Sequence, residues 1–169
     1  MQLAVVEFAR HVGGLANANT TEINPKTEQP VIDIMPEQKK HMAEGKYGAT
    51  MRLGSYPCLL KQDTIAFKAY FGSASGGTST LNAKSSTLVN ERHRHRYEVN
   101  PEYIGAIEKA GLVFSGTSPD GVLMEIAELP RATHPFFLGT QFHPELQARP
   151  LDPHPLFTEF LRACSKSNV

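Results

Sequence analysis

Along residues 1–12, MQLAVVEFARHV, the apolar positions recur near the helical period: Leu3, Val6 and then His11 or Leu15, with Val5, Phe8 and Ala9 widening the stripe. The pattern predicts a helix that Gly13-Gly14 ends. It starts without a cap or lead-in, as a helix does in the middle of a fold. The polar, Asn- and Pro-rich run 17–30 reads as a loop, PVIDIMPE as a short strand, and the polar stretch Lys39 to Tyr47 as a mobile segment. GATMRLG and YPCLLK read as two antiparallel strands that turn at Gly54-Ser55. DTIAFKAYFG reads as a short helix capped by Asp63 and closed by Gly72.

The second half carries clearer punctuation. A strand runs from about Leu88 to Val99, and Asn100-Pro101 then starts the helix PEYIGAIEKAG. LVFSG and VLMEIAEL flank a Pro-Asp-Gly turn at 119–121 and form a hairpin. HPFFLGTQF is an apolar strand, HPELQARPLDPHP a loop, and PLFTEFLRACSKS a closing helix that buries Leu156, Phe157, Phe160, Leu161 and Cys164. Strands and helices alternate with hairpins interposed, which predicts an α/β domain with a mixed sheet. Residues 72–88 form a Gly/Ser/Thr-rich stretch beyond the roughly 12–15 residues of ordinary loops, and they read as a disordered insertion.

Composition narrows the class. A chain of 169 residues supports one domain, not two. Lys plus Arg equals Asp plus Glu at 17 each, so there is no basic excess for gripping nucleic acid or a membrane surface. No apolar run approaches the roughly 20 residues of a bilayer span, and the N-terminus has no signal-peptide pattern. Two cysteines, Cys58 and Cys164, make no disulfide framework and suit a reducing, cytoplasmic compartment. Both read as small buried apolar side chains.

The local charge is another matter, because Arg92–Arg96 packs three arginines and two histidines into five positions. In a strand Arg92, Arg94 and Arg96 share one face and His93, His95 and Tyr97 the other. Two histidines without a third ligand do not make a zinc site, so no metal is expected. At the end of the apolar strand, FLGTQFHPE places His143 and Glu145 two residues apart, where a carboxylate can steady an imidazole that takes a proton from a nucleophile. A surface histidine beside an unrelated glutamate fits the same three residues.

GTQFHPE does not stand alone. With ERHRHRYEVNP, GATMRLG and the leading MQLAVVEFARHVGGLANANTTE, it closely resembles the glutamine amidotransferase domain of the CTP synthase family, over nearly the whole chain. The resemblance implies an α/β, class I glutamine amidotransferase-like (flavodoxin-like) three-layer fold with a mixed sheet, here a single partial domain over 1–169 that lacks its N-terminal strands. It implies hydrolysis of L-glutamine to glutamate and ammonia. A synthetase domain then uses the ammonia, with ATP and Mg, to convert UTP to CTP. This domain would need no cofactor of its own; GTP would activate the full enzyme, which assembles as a tetramer.

By the same resemblance His143 and Glu145 are catalytic, and Gln2, Glu22 and Arg96 hold the substrate. The chemistry agrees: an amino acid needs a fixed cation for its carboxylate, which the guanidinium fork of Arg96 offers, and an anion such as Glu22 for its ammonium. The family's nucleophilic cysteine lies in a Gly-x-Cys-x-Gly-Met-Gln elbow, three residues ahead of the position of Met1. The chain as written is therefore expected to be catalytically dead alone. The competing expectations are a non-catalytic glutamine-binding or regulatory module, and another triad amidotransferase or γ-glutamyl hydrolase.

Overall fold

A computed structural model describes residues 1–35, 51–72 and 87–166. The polar stretch 39–47 and nearly all of the 72–88 insertion lie outside the described residues. Among the described residues eight strands form two sheets, flanked by four helices. Helix α1 spans Gln2–His11 and buries Val5, Val6 and Ala9. Leu3, expected on the apolar face, is 59% exposed.

The run 17–30 is not all loop. It contains β1, Ala18–Thr20, and the start of β2, Gln29–Asp33. These pair in parallel, and β5, Glu98–Val99, pairs antiparallel to β2. A three-residue strand is too short to show a period in the sequence, so its buried pairing is visible only in the structure. This small sheet, α1 and α3, Pro101–Lys109, enclose one core around Val5, Val31, Ile32, Val99 and Ile107. The Asn100 side chain caps α3 by accepting from the Glu102 N–H, as its position before Pro101 predicts.

The second sheet is antiparallel throughout, in the order β4-β3-β6-β7-β8. Its members are β3, Arg52–Leu60; β4, Leu88–His95; β6, Val113–Thr117; β7, Met124–Glu128; and β8, Leu138–Thr140. The expected turn at Gly54-Ser55 is absent: β3 is one continuous strand, registered residue by residue against β4 from Arg52–His95 to Leu59–Leu88. Gly54 passes through at φ +103, a backbone state that glycine holds without strain, and the pairing continues across it with no shift in register.

Helix α2, Ile65–Phe71, is capped by Thr64, not Asp63, which sits at φ +63. Its first two N–H groups donate to the buried Glu128 carboxylate on β7. A second core forms between this sheet, α2 and the closing helix α4, Pro155–Lys166, around Cys58, Leu60, Ile126, Phe142 and Leu156. Only Leu156 and Ala163 of α4 are buried; Phe157, Phe160, Leu161 and Cys164 are exposed, contrary to the amphipathic reading. Among the described residues no helix is long and apolar enough to cross a membrane.

Candidate active site

The chain leaves β8 and reaches His143 in an extended conformation, and Pro144 then opens a three-residue 3-10 turn, Pro144–Leu146. Proline suits the first position of such a turn, where its missing N–H goes unused. The turn, rather than a continuing strand, swings Glu145 back onto His143, whose Nδ1 lies 2.7 Å from Glu145 Oε1. Desolvation alone would raise the Glu145 pKa, but the hydrogen bond from His143, a backbone hydrogen bond and the His143 and Arg94 charges together hold the carboxyl below its usual 4.5. With Nδ1–H committed to the carboxylate, Nε2 is the nitrogen left to accept a proton.

The pair borders an open cleft of about 450 Å³ lined by the first four residues of the chain, His95 and the segment 140–145. The close approach of α1 to β8 builds this cleft. At Gly139 a Cβ would lie 3.0 Å from the Met1 Cα, so a glycine lets the two backbones meet.

A chain of amides and charges runs from the cleft lining, at Gln2, Gln141 and His95, into the interior. Gln2 donates to the Tyr97 carbonyl at 2.9 Å and to Gln141 Oε1 at 3.3 Å. Gln141 donates to the same carbonyl at 2.7 Å and to Glu98 Oε2 at 2.9 Å. Glu98 also meets His95 at 2.7 Å and Arg52 at 3.3 Å, and the second Arg52 nitrogen lies 2.9 Å from Glu125. Sequence reasoning singled out Gln2 and missed Gln141, His95 and Glu98. A signal existed for Gln141, which precedes His143 by two residues in a buried run.

The alternation in β4 holds for Arg92 and Arg94, which are exposed, and for His93 and His95, which point inward. It fails at Arg96, because β4 stops at His95 and Arg96 falls in the break before β5. Arg96 is half-buried and Glu22 is exposed after β1; neither lines the cleft that holds His143, Glu145 and Gln2. His93 and His95 stack with centroids 5.1 Å apart, and the described residues contain no group of three or more His, Cys, Asp or Glu placed to hold a metal ion. Neither cysteine lines the cleft. Cys58 is fully buried in the second core, where desolvation and then the Glu125 and Glu91 carboxylates push its thiol pKa far up.

Residues 1–163 match the sequence profile of the family described as glutamine amidotransferase class-I. The chain is 55% identical over 164 residues to a CTP synthase of Rubrobacter xylanophilus, covering 97% of this chain and 26% of that protein. It is 51% identical to a CTP synthase of Aquifex aeolicus, over 97% of this chain and 27% of that one. The chain thus spans about a quarter of the length of these curated relatives. A solved structure of the Trypanosoma brucei CTPS glutaminase domain with bound acivicin superposes with a TM-score of 0.81 at 35% identity, covering all of this chain and 58% of that one.

Proposed function

The chain belongs to the class I glutamine amidotransferase family, and on that premise we propose that it is the glutaminase part of a CTP synthase. It hydrolyses L-glutamine to glutamate and ammonia, and a synthetase part uses the ammonia for ATP-dependent amination of UTP to CTP. The observation that carries this reading is the 2.7 Å contact of His143 with Glu145 beside the start of α1. The high identity to CTP synthases and the likeness to a CTPS glutaminase domain support the narrower assignment.

In this mechanism His143 Nε2 takes the proton of a cysteine thiol, and Glu145 holds the imidazole in the required tautomer and stabilises the imidazolium. The thiolate attacks the substrate amide carbon, and His143 returns the proton to the departing ammonia. Water then hydrolyses the thioester with His143 as base. The proposal assigns the thiol to a segment outside residues 1–169, so the isolated chain releases no ammonia. Gln2 borders the reacting end of the substrate; Arg96 takes its carboxylate and Glu22 its ammonium where the amino-acid end of the substrate extends past the residues that line the cleft. Mg and ATP act in the synthetase part, GTP activates, and the full protein is a cytoplasmic tetramer.

A second reading, a glutamine-binding module without turnover, is favoured by one observation, the lack of a cysteine in the cleft. The full-length protein decides between them. Wild type is expected to release ammonia from glutamine, and His143→Ala to lose about 10²–10⁴-fold in kcat. Unchanged release in His143→Ala overturns the assignment of the base; glutamine binding without release in wild type establishes the module.

A further inference from the structure

The turn that carries the dyad is short and half-exposed, so something outside the cleft must fix it. Three consecutive residues of β4 do so, gripping the turn at both ends. The His143 N–H donates to the Arg92 carbonyl at 2.9 Å. One residue past the turn, Gln147 Nε2 donates to the Asn90 carbonyl at 2.9 Å and to Glu91 Oε2 at 2.6 Å. Glu91 is 2% exposed, and its other oxygen takes the Tyr70 hydroxyl at 2.6 Å and His154 Nε2 at 3.1 Å. The Leu156 N–H donates to His154 Nδ1 at 3.3 Å, which leaves Nε2 as the ring nitrogen that carries the hydrogen toward Glu91. Desolvation and the Glu91 carboxylate raise the Tyr70 pKa, so the phenol also donates.

Glu91 therefore receives three donors from three separate segments: α2, the Gln147 end of the turn, and the entry to α4. None of Tyr70, Glu91, Gln147 and His154 lines the cleft. Building on the glutaminase reading, we propose that Glu91, acting through Gln147, is a positioning residue of the reaction: its buried carboxylate fixes the turn that presses Glu145 onto His143. Only a carboxylate accepts from every side here. The Glu91→Gln amide would turn a donor toward either Gln147 or the Tyr70–His154 pair.

The test uses the full-length protein and measures ammonia release from glutamine. Gln147→Ala removes one arm of the clamp from a partly exposed side chain and leaves both cores intact. Its kcat is expected to fall about tenfold while KM stays within about twofold, since a displacement of roughly 1 Å near reacting groups costs up to about a hundredfold. Glu91→Gln falls further, and the double variant falls no further than Glu91→Gln alone, because both act through one contact. If kcat of Gln147→Ala equals that of wild type, or the two losses add in full, Glu91 has only a packing role. An inactive wild type with an indifferent His143→Ala sinks the glutaminase reading instead. Should Glu91→Gln fail to fold, the Gln147→Ala split between kcat and KM still decides the matter.

Discussion

His93 lies at the centre of the inward face of β4, edge-on to Tyr56 and Phe142, with neither ring nitrogen hydrogen-bonded among the described residues. Burial, then Arg52, His95 and His143, push its pKa down to about 3. The unfolded chain regains the ordinary value of about 6.5, so it binds the proton more readily, and stability falls as pH drops from about 6.5 toward 3. His93→Phe keeps the ring and removes the proton site; acid unfolding followed by circular dichroism is expected to shift to lower pH. Glu145 works in the same pH direction. Its folded pKa is depressed, so the stabilisation from the dyad is complete above the ordinary glutamate value and lost as pH falls through the folded one. The pairing of His143 with Glu145 was legible in the sequence, whereas the route to it was not. A two-residue spacing suggests a strand, and it took Pro144 to make a turn of it.

At the scale of elements, legibility followed local chemistry. Asn100-Pro101 and the Pro-Asp-Gly turn state their structures in a few adjacent residues, and α3 and the β6–β7 hairpin came out as expected. The strand β1 and the unbroken β3 depend on partners distant in sequence, and a glycine inside β3 looks like a turn until its φ is known. In α4 the apolar stripe is real, but periodicity says that a face is apolar and not what lies against it. Phe160 meets Phe136 at 5.5 Å and still stays half-exposed. The meeting of α1 and β8 gives a prediction at this scale. In Gly139→Ala the new methyl meets the Met1 backbone, so the helix start must shift; a loss of about 1–3 kcal/mol is expected from thermal melts, together with a raised KM for glutamine in the full-length protein.

Across the whole molecule, the first core already spans both sheets, because Phe114, Met124 and Ala127 of the large one pack within it, and buried charge ties the sheets together again. Glu98 belongs to the small sheet, Glu125 to the large one, and Arg52 bridges both carboxylates with its side chain 11% exposed. Removing one partner of a buried ion pair strands the other. Arg52→Met is therefore expected to destabilise the protein by about 3–5 kcal/mol in denaturant unfolding. A loss below about 1 kcal/mol would mean that water reaches the seam. Desolvation raises the Glu125 pKa, against the opposing hydrogen bond and charge of Arg52. Nothing in the sequence marked Arg52 for this role, since its two partners lie 46 and 73 positions away.

The contact of Met1 with Gly139 has a practical corollary. With the Met1 backbone held there, a fluorescent dye attached through Leu3→Cys, at an exposed residue of the cleft lining, would sit at the mouth of the His143 cleft and report on its occupancy.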